Sequence, residues 1–95
     1  MLHVISHTEN QIDKDELLGS LQTTDAILLT QDGVTIAVAG NRLLTSLVQQ
    51  TVALYVLRQD LSARGLEQLV DDKLTVIDYD DYVDLTVEQV SQRLW

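Results

Sequence analysis

A chain of 95 residues with a formal net charge of −9 and no cysteine has the size of one small acidic domain, residues 1–95. The lack of cysteine excludes disulfides, thiolate metal sites and cysteine nucleophiles. Six Lys and Arg residues against fifteen Asp and Glu residues give no basic face, so we expect no direct contact with nucleic acid.

Targeting and membrane-spanning patterns are also missing from the sequence. Residues 1–25 lack a basic segment followed by an apolar one, so we expect no signal peptide. The longest apolar run, Val52–Leu57, is far too short to cross a bilayer. We therefore expect no membrane contact, and the lack of cysteine is compatible with a cytoplasmic protein.

The first part of the chain predicts a strand, a helix and a second strand. Leu2–Ile5 is an apolar run and is interpreted as the first strand. Asp13 is predicted to cap a helix whose apolar face begins at Leu17, because Glu follows Asp13 three positions on. Ala26–Thr30 is interpreted as the second strand.

A polar turn, Gln31-Asp32-Gly33, ends the second strand, and Gly33 supplies the backbone freedom that a sharp turn needs. A short amphipathic stretch, Val34–Val38, follows at once. This pattern indicates a buried strand whose carboxyl end leads directly into a helix. Sites of open α/β sheets are built at that edge, so we expect any function assembled by this chain alone to lie beside Asp32 and Gly33.

The second part of the chain repeats the alternation. After a break at Gly40-Asn41, the sequence predicts a helix at Leu43–Val48 and a strand at Val52–Leu57. A helix at Leu61–Leu69, capped by Asp60 and interrupted near Gly65, and a strand at Leu74–Ile77 follow. The acidic segment Asp78–Leu85 then leads to a last helix, which a capping box at Thr86 begins and which has Val87, Val90 and Leu94 on one side. The four apolar runs are continuous, which indicates burial on both faces, and their connections are long enough for helical crossovers. The predicted fold class is α/β: a three-layer α/β/α arrangement with a small, mostly parallel sheet of about four strands.

Few residues offer candidate chemistry. His3 and His7 have a spacing that suits metal binding on a helix, whereas they lie on a strand and its exit, so we expect a half-buried strand residue and a loop residue. The acids between Asp78 and Asp84 do not fit a calcium-binding loop and are expected to face solvent or a partner. No serine lies in a nucleophile elbow, and no glycine-rich phosphate motif is present. We therefore expect no catalytic residue, no cofactor and no bound metal.

Arginines near strand exits leave two interpretations open. Arg42, Arg58 and Arg64 each lie near such an exit or in the helix that follows it. They are either surface residues in weak ion pairs with the surrounding acids or interface residues, since Arg is enriched in interfaces.

Several short motifs together resemble the TusB/DsrH family. The segments are Met1-Leu2-His3, Leu28-Leu29-x-x-Asp32-Gly33-Val34, Gly40-Asn41-Arg42, Asp60-Leu61-x-Ala63-Arg64-Gly65, Ile77-Asp78-Tyr79-x-x-x-Val83-x-Leu85-Thr86 and the final Trp95. Their order and spacing extend the resemblance over nearly the whole chain. Tyr82 departs from it, because it stands where we expect Phe.

The resemblance implies a DsrEFH-like fold and the role of a small subunit in a cytoplasmic sulfur-relay complex. The expected partners are subunits of the TusC/DsrF and TusD/DsrE types, in a heterohexamer with two copies of each chain. In the Tus branch, the resemblance implies transfer of persulfide sulfur towards 2-thiolation of the tRNA wobble uridine, with the reactive cysteine on the TusD-type subunit. In the Dsr branch it implies oxidative sulfur metabolism. Some DsrH-type members carry a cysteine in the first helix, and its absence from residues 16–21 favours the Tus branch.

The segment between Gly33 and Val48 is richer in apolar residues than one face of a four-stranded sheet is expected to cover. We therefore expect an oligomeric contact there, with the TusC-type subunit as the neighbour. The residues expected at the interface are Asp32, Gly33, Val38, Arg42, Leu47 and Arg64. The alternative function is a stand-alone homo-oligomeric α/β binding protein that holds a small anionic ligand near Gly33 and Arg42.

Overall fold

The computed structural model describes all of residues 1–95 and is built around one parallel sheet. Its strands are β1 (Leu2–Ile5), β2 (Ala26–Leu29), β3 (Ala53–Leu57), β4 (Thr75–Ile77) and β5 (Gln92–Leu94). The strand order is β4-β3-β2-β1-β5, and every neighbouring pair is parallel. The predicted α/β class with a parallel sheet is therefore confirmed, with five strands instead of about four.

Short helices connect the strands, as parallel pairing requires. The α-helices are α1 (Lys14–Ser20), α2 (Arg42–Val48), α3 (Arg58–Ala63) and α4 (Tyr79–Glu88), and 3₁₀ helices span Glu9–Gln11, Gln31–Ala37 and Glu67–Leu69. The structure contains no helix that combines the length and the apolar character needed to cross a membrane.

The two faces of the sheet are covered unequally. A cluster of 14 buried residues packs one face of the sheet against α1, α2, α3 and the 3₁₀ helix Gln31–Ala37. The cluster on the other face has 6 buried residues, and its only α-helical member is Leu85 of α4. Tyr55 and Tyr82 add partly buried surface to the smaller cluster. Of the two helical layers that flank the sheet, one is therefore thick, and the other is thin because it consists of α4 alone.

The carboxyl-terminal segment differs from its prediction. The acidic stretch after β4 is the helix α4, because Asp78 and Asp81 form a capping box at its start. Thr86 lies inside that helix, where its Oγ1 donates to the carbonyl oxygen of Val83 across 2.6 Å. The helix predicted to begin at Thr86 is therefore wrong, and residues Gln92–Leu94 form the edge strand β5 beside β1. The sequence thus contains two capping-box patterns, at Asp78 and at Thr86, and only the first lies at a helix start.

Two predicted helix starts give opposite outcomes. Asp13 caps α1, since its Oδ1 accepts from the backbone N–H of Glu16 across 3.1 Å, as predicted. Asp60 does not cap α3, which begins two residues earlier at Arg58, directly after β3. The Asp60 carboxylate instead accepts from the backbone N–H of Gln31 across 2.6 Å. Asp60 therefore ties α3 to the turn after β2.

Candidate functional site

The carboxyl ends of β1, β2 and β3 meet at the edge where the sequence predicts a site. Gln31 adopts a positive φ of 48° directly after β2, in the left-handed region that non-glycine residues rarely occupy. The bond from the Gln31 N–H to Asp60 holds this conformation. The backbone N–H of Thr30 donates to the carbonyl oxygen of Ile5 across 2.9 Å, which fixes the turn against β1.

Gly33 has a packing role at this edge. A Cβ atom on Gly33 would lie 2.1 Å from the carbonyl oxygen of Ile5 and 2.8 Å from its carbonyl carbon. Only glycine allows the 3₁₀ helix Gln31–Ala37 to approach β1 so closely. Gly33 is also buried. Its place among the predicted interface residues is therefore corrected to a close backbone contact within the protomer.

Asp32 and Arg64 form an ion pair beside this turn. The Nη2 and Nε atoms of Arg64 lie 3.0 Å and 3.3 Å from Oδ1 of Asp32. Arg64 Nη1 also donates to the carbonyl oxygen of Asp60 across 3.3 Å. The structure thus brings together two residues that the sequence analysis places at the interface without pairing them. Asp32 is largely exposed, so the pair adds little stability by itself.

The other predicted interface residues fall in three different environments. Leu47 is completely enclosed in the larger core cluster, so it offers no surface to a partner and is corrected to a core residue. Val38 is half-buried and forms an isolated antiparallel bridge with Val70. Arg42 is exposed at the first turn of α2 and forms no ion pair.

The apolar surplus expected between Gly33 and Val48 is not at the surface. The structure buries its large apolar side chains within the protomer, namely Val34, Ile36, Leu43, Leu44 and Leu47. The 3₁₀ helix and α2 together cover more of the sheet than the sequence analysis expects, so an apolar surplus no longer supports an oligomeric contact here, and that contact stays a prediction. Of the predicted interface residues, Asp32, Val38, Arg42 and Arg64 keep accessible surface.

An open groove of 310 Å³ lies at the carboxyl edge between α4 and β5. Its polar lining comes from Ser6, Thr30, Gln31 and Asp60, and its apolar lining comes from Val4, Leu57, Tyr79, Tyr82 and Leu94. These hydroxyl, amide and apolar groups suit the binding of a polypeptide side chain or of another surface that combines polar and apolar groups. The groove contains neither a thiol nor a histidine, and the structure brings together no group of three or more possible metal ligands.

The alternative anion site lacks a cavity that joins its two residues. None of the four cavities of the structure is lined by both Gly33 and Arg42. The turn beside Gly33 carries the Asp60 carboxylate, and the one cation there, Arg64, is already paired with Asp32. The geometry therefore gives the anion-binding alternative no support.

A buried polar network lies at the opposite, amino-terminal edge of the sheet. His3 is fully buried on β1, and its Nε2 lies 2.9 Å from Oδ2 of Asp25, just before β2. The indole N–H of Trp95 donates to Nδ1 of His3 across 3.1 Å, so Nδ1 is the acceptor and Nε2 carries the proton. The half-buried position expected for His3 is therefore corrected to a fully buried one with two partners.

Asp25 is held ionised in this network. Burial opposes its ionisation, but hydrogen bonds from His3, the Met1 ammonium group and the backbone N–H of Gln22, with the charge of that ammonium, outweigh burial. Together they hold the pKa of the Asp25 carboxyl below its ordinary value. The network joins β1, the start of β2 and the last residue of the chain.

The parallel sheet and the groove at its carboxyl edge define a small all-parallel α/β protein with a surface suited to binding. Comparison with known proteins gives its family. The sequence model of the family described as "DsrH like protein" matches residues 7–92. Protein TusB from Salmonella enteritidis is 43% identical over 95 residues, which cover 100% of both chains. The chain therefore belongs to the TusB/DsrH family, as the sequence motifs indicate.

Solved structures support the fold. A protein of unknown function, MTH1491 from Methanobacterium thermoautotrophicum, matches with a TM-score of 0.72 at 14% identity and covers 99% of this chain and 96% of its own. Protein Tm0979 from Thermotoga maritima matches with a TM-score of 0.68 at 23% identity and covers 94% of each chain. These similarities concern the fold alone.

Proposed function

We propose that this chain is a non-catalytic subunit of a cytoplasmic sulfurtransferase complex that relays sulfur to the wobble uridine of tRNA for 2-thiolation. Its partners in this proposal are TusC-type and TusD-type subunits in a heterohexamer with two copies of each chain. The observation that carries the proposal is the full-length similarity to Protein TusB, at 43% identity, in a chain without cysteine.

The accessory role follows from the chemistry of sulfur relay. A persulfide is carried on a cysteine sulfur, and the thiolate is the reactive form. This chain has no cysteine, and the region of α1 where some DsrH-type members carry one reads Glu16-Leu17-Leu18-Gly19-Ser20-Leu21. In the proposed complex the sulfur is therefore carried by the partner subunits, and this chain contributes binding surface.

Contacts with tRNA are likewise assigned to the partners. Five of the six basic side chains lie within 4.0 Å of a carboxylate: Lys14, Arg58, Arg64, Lys73 and Arg93. Arg42 is the one basic side chain without such a neighbour, and the net charge of −9 repels phosphate. The balance of charge supports a subunit that leaves tRNA to other chains.

Co-assembly tests the proposal. The chain is expressed with the TusC-type and TusD-type proteins of its own source, purified and measured by native mass spectrometry. The expected result is one complex that contains two copies of each chain. Purification of the two partners as a complete complex without this chain, while the chain stays alone, would contradict the proposal. Co-assembly with DsrE-type and DsrF-type proteins, without any effect on tRNA thiolation, would support the Dsr branch instead.

A further inference from the structure

Exposed apolar side chains are concentrated in the last part of the chain. Of the seven large apolar residues that remain exposed, five lie between positions 79 and 94: Tyr79, Val83, Val87, Val90 and Leu94. Val83 is 61% exposed, Val87 79% and Leu94 75%. Single exposed apolar residues are normal on a protein surface, but a concentration of this kind marks an interaction site.

Four of these side chains form one surface, which we call the α4 face and define as Tyr79, Val83, Val87 and Leu94. Tyr79, Val83 and Val87 are spaced by four, so they follow one side of α4. Leu94 lies opposite Val4 in the sheet register, on the side of the sheet that α4 covers. The groove at the carboxyl edge is lined by both Tyr79 and Leu94, which connects the helix to the strand.

The fold leaves this layer incomplete. One face of the sheet is covered by three α-helices and a 3₁₀ helix, whereas the other face is covered by α4 alone. Within α4 only Leu85 is buried, although the helix has 10 residues. The strand β5 pairs only with β1, so its outer edge is also open beside Leu94. A further protein layer on the α4 face would remove these valines from water.

The charges around the α4 face identify the kind of partner. Asp80, Asp84 and Glu88 are exposed on α4, and the helix contains no Lys or Arg. Asp80 and Asp84 have no ion-pair partner in the structure. Two copies of this chain that met through their α4 faces would bring like charges together, which is unfavourable. The acidic border also opposes nucleic acid and anionic lipid.

We propose that the α4 face docks onto a protein subunit whose contact surface is an apolar stripe bordered by Lys and Arg side chains. The valines and Leu94 supply the buried centre of the contact, and Asp80 and Asp84 meet the basic border. The identity of that subunit rests on the proposed function, in which it is a TusC-type or TusD-type chain. The chemistry of the contact rests on the α4 face alone.

A charge introduced on the α4 face tests the docking surface. The double variant Val83→Lys/Val87→Lys is expressed as the full chain with the TusC-type and TusD-type proteins, and its association is measured by native mass spectrometry and by titration. We expect the affinity to fall by about tenfold or more, because the new charges lie at the centre of the contact. Leu69→Lys is the matched control, since Leu69 is exposed outside the α4 face, and it should bind like the wild type.

The border charges are tested separately. Asp80→Asn/Asp84→Asn should slow association and weaken its dependence on salt, because rim charges act mainly on the association rate. Unchanged circular dichroism confirms that each variant is folded. Wild-type affinity of a folded Val83→Lys/Val87→Lys variant would overturn the docking surface while leaving the proposed function standing.

The remaining outcomes are equally decisive. Failure of the wild-type chain to bind either subunit would contradict the proposed function rather than the α4 face. A homodimer of the isolated chain that the two Lys substitutions dissociate would overturn the proposed partner in favour of a second copy. Association that does not respond to salt would overturn the basic border.

Discussion

The imidazole of His3 donates from Nε2 to Oδ2 of Asp25 across 2.9 Å, between two residues that are both buried. The Met1 ammonium group donates to the other carboxylate oxygen across 3.1 Å. Every neighbour of the carboxylate is thus a donor, an arrangement that only an ionised side chain satisfies fully. This edge of the sheet therefore depends on one negative charge.

Replacing Asp25 by Asn should destabilise the protein. The substitution keeps the size of the side chain, but the new amide group faces a donor and leaves a buried hydrogen bond unmade. We expect the free energy of unfolding to fall by about 1–3 kcal/mol, measured by urea denaturation. Asp72→Asn is the matched control, because Asp72 is exposed, and it should change stability by less than about 0.5 kcal/mol. Equal effects of both substitutions would contradict the role given to the network.

The same carboxylate predicts a dependence on pH. The pKa of Asp25 in the folded protein lies below its ordinary value of 3.8, so the folded state releases this proton more readily than the unfolded state. Its contribution is therefore complete above pH 3.8 and is lost as the pH falls through the lowered folded-state pKa. Urea denaturation of wild type and Asp25→Asn from neutral to acid pH should show a stability difference that shrinks in the acid range. A difference that grew on acidification would have the wrong sign for a lowered pKa.

Gly33→Ala should strongly weaken the fold. The added methyl group would meet the backbone carbonyl of Ile5 at 2.1 Å, and backbone atoms of a central strand cannot move aside cheaply. We expect a loss of about 2 kcal/mol or more in the free energy of unfolding. Gly19→Ala is the control: a Cβ at Gly19 meets nothing within 4 Å, and Gly19 lies in α1. That variant should gain about 0.5–1 kcal/mol, since Ala favours helix.

Leu47→Ala and Val87→Ala should separate core from surface. Leu47 is completely buried, so its truncation leaves a cavity and should cost about 2–5 kcal/mol of stability in the isolated chain. Val87 is 79% exposed, so Val87→Ala should leave stability nearly unchanged. Thermal unfolding of both variants measures the contrast. Similar stability of the two variants would mean that Leu47 does not belong to the core.

Local patterns predict the elements of this fold better than its long-range contacts. The first four strands and the Asp13 cap follow from apolar runs and a capping motif that each lie within a few residues. The end of the chain is ambiguous, because Asp78 and Thr86 both begin capping-box patterns and the short strand β5 carries only one exposed apolar residue, Leu94. The packing of Leu85 against the sheet favours the helix that starts after Asp78. This is a long-range contact, so a local sequence pattern does not reveal it.

The candidate site and the buried network at the opposite edge both depend on pairings that have no local signal. Asp32 and Arg64 are 32 positions apart, and His3 and Asp25 are 22 apart. The sequence predicts a site at the turn after β2 because the sites of open α/β sheets generally lie at the carboxyl ends of the strands. It does not show that Gly33 is buried or that Leu47 belongs to the core, because the coverage of a sheet face depends on how the helices cross it.

The proposed function requires this chain for sulfur relay, although the chain carries no sulfur itself. The direct measurement is intact-mass analysis of every subunit of the assembled complex after incubation with an isotopically labelled persulfide donor, paired with tRNA thiolation by complexes with and without this chain. We predict added sulfur on the TusD-type partner, none on this chain, and loss of thiolation when this chain is omitted. Stable added sulfur on this chain, or full thiolation in its absence, would contradict the account.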